Sequence, residues 1–76
     1  MKAVHIIRHA RNRMRHYTIS TAQVLQVLTK PDVVIPTREG RYNATKKVGK
    51  RFIRVGYREE PARLVVVTVT PRRELG

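Results

Sequence analysis

The spacing of apolar positions divides the chain into a helical first part and a stranded remainder. Residues 3–7, Ala-Val-His-Ile-Ile, form a short extended lead-in that can add an N-terminal strand. From about residue 8 to 16 the period lengthens. At about 100° per residue, Ile7, Ala10, Met14 and Tyr17 fall on one face, the expected buried stripe of a first helix. Ser20 then offers an N-cap with Gln23 at capping-box spacing, and Ile19 is placed to staple onto Val24. The second helix is expected to bury Val24, Leu25 and Leu28 and to stop near Thr29 or Lys30, ahead of Pro31. The short link between the helices makes them a tight hairpin.

Beyond Pro31 the pattern becomes one of strands. Val33-Val34-Ile35 is the first, with Pro36 placing its end at a sheet edge. Glu39-Gly40 is a turn, and residues 41–48 and 51–58 are strands joined by Gly49-Lys50, a two-residue hairpin loop with glycine first. A loop at residues 59–62 leads to the last strand, residues 63–70, which Pro71 ends ahead of a short polar tail. Pairing Val48 with Arg51 sets Tyr42 opposite Tyr57, Ala44 opposite Val55 and Lys46 opposite Ile53 on one face. The other face carries Arg41 opposite Arg58, Asn43 opposite Gly56, Thr45 opposite Arg54 and Lys47 opposite Phe52. A slip of one residue would bury arginines, which selects this register. Strict alternation in the last strand puts Leu64, Val66 and Thr68 inward and leaves Val65, Val67 and Val69 on the polar side. Three valines there require a central strand, a second copy of the chain, a partner protein or the tail to cover them. The expected class is α+β: two N-terminal helices on a four-stranded antiparallel meander, with the extra N-terminal strand as an option.

Length and composition bound the function. Seventy-six residues make one domain near the lower limit for folding alone, and without cysteine neither a disulfide nor a thiolate zinc site can staple it. A chain 41% hydrophobic is not a disordered basic tail. Neither residues 1–7 nor the apolar run at residues 64–70 suits a signal peptide or a membrane span, so no membrane partner and a cytoplasmic location are expected. Charge changes the picture most. Seventeen Lys and Arg against five Asp and Glu give +12, a self-repelling balance that points to RNA, another polyanion or an acidic protein as partner.

The densest basic stretch, RHARNRMRH at residues 8–16, places Arg8, Arg11 and Arg15 on one flank of the first helix and His9, Arg13 and His16 on the other. With Arg41, Lys47 and Arg58 on the polar face of the sheet, Arg8, Arg11 and Arg15 are the candidate phosphate-binding residues. No glycine-rich nucleotide loop is present, and no cofactor is expected. His5 and His9 have helical ligand spacing but no third ligand and arginine neighbours, so no metal site is expected either.

The run RHARNRMRHYTIS, the helix ending in KPD, and the strands GRYNATKKVGKRFIRVGY and LVVVTV resemble a small prokaryotic family of unknown function with a His-Ala-Arg-x-Arg-Met pattern. That family is grouped with the BrnT and RelE toxins, ribonucleases of toxin–antitoxin pairs. The resemblance spans about residues 7–70 and departs where the family has Arg-Gly before Ile-Ser, since this chain has Tyr17-Thr18 and lacks the glycine helix stop. It implies a RelE/BrnT-like domain, an acidic antitoxin partner and metal-independent RNA cleavage. For that chemistry, His9 is the candidate base, with Arg13 one turn on and Arg54 from the sheet as cations around the phosphorane. The structural alternatives are His9 packed between helix and sheet, Arg13 paired with Glu59 or Glu60, and Tyr42 and Tyr57 as core. The rival functions are a non-catalytic module binding nucleic acid or acidic protein, and a small structural homodimer.

Overall fold

The computed structural model describes residues 2–73. In chain order its elements are β1 (Ala3–Ile6), α1 (Arg8–Tyr17), α2 (Thr21–Thr29), β2 (Val33–Arg38), β3 (Arg41–Val48), β4 (Arg51–Glu59) and β5 (Arg63–Arg72). The strands form one five-stranded sheet in the order β1-β5-β4-β3-β2. β2 to β5 are the expected antiparallel meander, while β1 pairs parallel to β5, with Ala3 opposite Arg63 and Ile6 opposite Val66. The sheet is therefore mixed and five-stranded rather than a four-stranded antiparallel one. A parallel pair needs a crossover between its strands, and here the whole chain from α1 to β4 supplies it.

The helices start and stop where local chemistry places them. Ser20 Oγ accepts from Gln23 N at 3.1 Å and Ser20 N donates to Gln23 Oε1 at 3.0 Å, which completes the capping box. Both helices pack on one face of the sheet. Ala10 and Met14 from α1 and Val24 and Val27 from α2 meet Ala44, Ile53, Val55, Val66 and Val69 in the core, with Ile7 and Tyr17 at its margin. The α2 stripe differs from expectation, because Val27 is fully buried and Leu25 is 37% exposed. Val24, Val27 and Leu28 follow the i, i+3, i+4 spacing of one face, and Leu25 falls a quarter-turn off it. Leu25 lines a shallow groove with Ala22, Gln26, Thr29, Lys30 and Lys46.

The register of β3 on β4 is the predicted one from Val48–Arg51 to Arg41–Arg58. Gly49 has φ 66°, and Lys50 after it is not left-handed, as a hairpin turn with glycine first requires. The facing like charges of Arg41 and Arg58 are relieved by Glu60, whose Oε2 accepts from Arg58 Nη2 at 2.9 Å. Two proline expectations are corrected. β2 continues through Pro36 to Arg38 with a register irregularity, because an edge strand needs no amide there. β5 continues through Pro71, which pairs with Ile53, since β1 has ended and that side of β5 is open. The polar tail expected beyond Pro71 falls in part at residues 74–76, outside the described residues.

The valines of β5 are also corrected. Gly56 pairs with Thr68 but Tyr57 pairs with Val66, so Val67 is an extra residue and a bulge reverses the alternation beyond it. Val69 thus joins Val66 in the core, and Thr68 takes the outer face. Val65 remains outward but is only 2% exposed, flanked by His5 on β1 and Arg58 on β4. Val67 alone of the three stays half-buried, so Val65 and Val69 need no second copy to cover them.

Candidate nucleic-acid interface

The basic residues divide between two surfaces. The first is where α1 begins. Ile7 is the N-cap of α1 and has no side-chain oxygen to accept from the first-turn amides, and the first turn carries no acidic residue. Those amides have no intrahelical acceptor and present the positive end of the helix dipole. Arg8, Arg11 and Arg15 rise along the flank beside them, and with His5 and Asn12 they line an open groove of about 570 Å³ between α1 and the edge strand β1. Among the described residues no carboxylate lines that groove. Three described carboxylates are engaged elsewhere. Asp32 holds Lys46 at 3.7 Å, Glu59 holds Lys2 at 2.9 Å, and Glu60 bridges Arg58 and Arg63.

The second surface is the sheet face turned away from the helices. Cross-strand rows there run Lys47–Phe52–Arg72, Thr45–Arg54–Thr70, Asn43–Gly56–Thr68 and Arg41–Arg58–Val65. Phe52 is half-buried, with Lys47 Nζ 6.0 Å from its ring centroid. Arg54 is half-buried, and its Nε is enclosed with no hydrogen-bond partner. Burial, and then the charge of Arg72, lowers the pKa of Arg54 below the ordinary arginine value.

This arrangement sorts the candidate residues. Arg8, Arg11 and Arg15 come together, as their flank predicted. Arg41, Lys47, Arg54 and Arg58 share the open sheet face, with Arg58 tied to Glu60. His9 and Arg13 stay on the other flank of α1. His9 is exposed, whereas Arg13 is half-buried with its guanidinium carbon 5.7 Å from the Tyr17 ring centroid and its Nε unpartnered. Arg13 does not pair with Glu59 or Glu60, whose partners are Lys2, Arg58 and Arg63. Arg54 faces away from both helices, so the structure does not bring the proposed set His9, Arg13 and Arg54 to one point. Tyr42 and Tyr57 stack with centroids 5.5 Å apart on the helix side, Tyr57 against the core.

Sequence reasoning missed two contributions. His5 reaches the α1 groove because β1 lies at the sheet edge beside the helix, and only the β1–β5 pairing reveals that. Arg72 joins the open face because β5 runs through Pro71 instead of ending there.

A family model for a domain of unknown function, DUF4258, matches residues 6–71. The chain belongs to the DUF4258 family. No curated protein and no solved structure matches it. The matched span of this DUF4258 chain takes in α1 and the three hairpins of the meander, so all of the two basic surfaces except His5 and Arg72 lies on the family domain. No helix of the described residues is long and apolar enough to cross a membrane.

Proposed function

We propose that this DUF4258 protein binds RNA through its phosphate backbone, with the α1 groove as the principal phosphate site. One observation carries the proposal: Arg8, Arg11 and Arg15 converge on a groove that opens at an uncapped helix N-terminus and, among the described residues, contains no carboxylate. Guanidinium groups form bidentate bonds to phosphate oxygens, and free amides at a helix start favour the same anion. A net charge of +12 draws a polyanion from a distance and releases its counterions on binding. The resemblance to BrnT and RelE toxins supports RNA as the polyanion and a toxin–antitoxin setting, with an acidic antitoxin as the protein partner.

The binding role stands ahead of the endoribonuclease role. General acid–base cleavage needs a base and charge-stabilising cations around one phosphate. His9 lies on α1 and Arg54 on the sheet face turned away from the helices, so of the two cations proposed for cleavage only Arg13 shares an element with His9.

Fluorescence anisotropy of labelled RNA over a potassium chloride series tests the proposal. Affinity should fall steeply with salt. Replacing Arg8, Arg11 and Arg15 with alanine should lower the log–log slope by about 0.7–0.9 for each phosphate that is no longer neutralised. A salt-independent wild type, or a triple variant with the wild-type slope, overturns the groove as the site. Parallel incubation in EDTA reads cleavage. Metal-independent cleavage abolished by His9→Ala would restore the catalytic role.

A further inference from the structure

We infer that the open face of the sheet is a second site, which binds an unpaired base of single-stranded RNA stacked on Phe52, with Lys47, Arg54 and Arg72 on the flanking phosphates. This rests on the RNA-binding proposal and assigns a distinct ligand class to a different surface. Phe52 is the single phenylalanine of the chain, and it sits on the face that no helix covers. Lys47 lies directly across on β3 and Arg72 directly across on β5. Arg54 is two residues along β4 and therefore projects from the same face.

None of these three cations has a carboxylate within ion-pair distance among the described residues. Ordinary packing accounts for Phe52 under the Lys47 side chain, but not for Arg54. Its Nε is removed from water without a partner, and Arg72 adds a second positive charge nearby. Bringing two guanidiniums together on a partly desolvated surface is unfavourable until an anion lies between them. Thr70, Thr68 and Asn43 continue the same face with hydroxyl and amide groups suited to ribose and base edges.

The chemistry specifies a single strand. Stacking on an aromatic side chain requires a base whose π-face is free, and base pairs inside a duplex are already stacked on their neighbours. Stacking and flanking cations tolerate any base, so little sequence preference is expected. The α1 groove, by contrast, needs only phosphates and accepts duplex and single strand alike.

The test uses the whole chain, an oligoadenylate, and a duplex RNA of equal length. Phe52→Leu keeps an apolar side chain of similar volume and removes the ring, and its urea midpoint serves as the folding control. It should weaken oligoadenylate binding by roughly tenfold and leave duplex affinity and the salt slope unchanged. The triple α1 variant should weaken both ligands.

The chain has no tryptophan, so Phe52→Trp places the one indole at the site, and red-edge excitation reads it apart from the three tyrosines. Its emission should be quenched by oligoadenylate and not by duplex. Wild-type oligoadenylate affinity in Phe52→Leu, or equal weakening for both ligands, overturns the second site and leaves the α1 groove standing. No RNA binding by the wild type overturns both.

Discussion

Arg51 Nη2 donates to the carbonyl oxygen of Thr18 at 2.9 Å, while Nη1 of the same side chain donates to Tyr17 O at 2.9 Å. The first residue of β4 thereby closes the C-terminus of α1, where orphan carbonyls and the negative end of the dipole favour a cation. The turn is a Schellman arrangement, with Ile19 N bonded to Met14 O and Thr18 N to Arg15 O. Its left-handed position is Thr18, at φ 57° and ψ 48°. A β-branched residue is strained there by about 1–2 kcal/mol, and part of that remains after the extra backbone freedom of glycine is subtracted. Thr18→Gly should therefore stabilise the fold by about 0.5–1 kcal/mol and raise the urea midpoint. A lower midpoint would show that Arg51 already offsets the strain.

The bulge makes Gly56 a second sensitive position. A Cβ there would lie 2.7 Å from Thr68 Cγ2 and 3.2 Å from Asn43 Oδ1. Gly56→Ala should cost about 1–3 kcal/mol through overpacking. Thr68→Ser removes the colliding methyl, so the double variant should recover most of the stability. A double variant as unstable as Gly56→Ala would place the strain in the backbone of the bulge.

Glu60 gives the fold an acid limb. Hydrogen bonds from Arg63 and then Arg58 hold its carboxyl below the ordinary glutamate pKa. The folded state thus binds this proton more weakly than the unfolded chain. The resulting stability is present above the unfolded glutamate value and is lost as pH falls through the depressed folded value. Thermal melts of wild type should fall across that window, and Glu60→Gln should flatten the decline. Parallel curves for the two proteins would assign the acid limb to other carboxylates.

Arg54 is expected to be retained at a cost to stability. Its Nε is enclosed and unpartnered, a penalty of about 1–3 kcal/mol for a buried polar group. Arg54→Met keeps the length of the stem and removes the charged head. Urea unfolding should show equal or greater stability, by about 1 kcal/mol, with weaker binding of single-stranded RNA. Marked destabilisation would mean that the guanidinium serves the fold itself.

Local chemistry was legible in the sequence wherever a short-range rule decides it. Ser20 and Gln23 specify the start of α2, and Gly49 with the period of two specifies the register of β3 and β4. The basic flank formed by Arg8, Arg11 and Arg15 follows from helical geometry alone. Features set by distant partners were not legible. β1 is four residues whose parallel pairing depends on β5. The Val67 bulge carries no glycine or proline in its own strand beside it, and its one signal is Gly56 on the neighbouring strand. The separation of His9 from Arg54, by contrast, was legible: alternation puts Arg54 on the polar face, opposite the apolar face that the helices cover.

The pairing of Ala3 with Arg63 has a consequence for synthesis on the ribosome. β1 leaves the exit tunnel first and must wait for a partner sixty residues later. Until β5 emerges, Val4 and Ile6 have no strand to join, and the buried valines that α1 packs against do not yet exist. Closure of the sheet therefore waits for β5, a late step in which the earliest and latest strands meet. During that interval the nascent chain already displays the basic helix sequence beside ribosomal RNA, so its first polyanionic encounter precedes its native state.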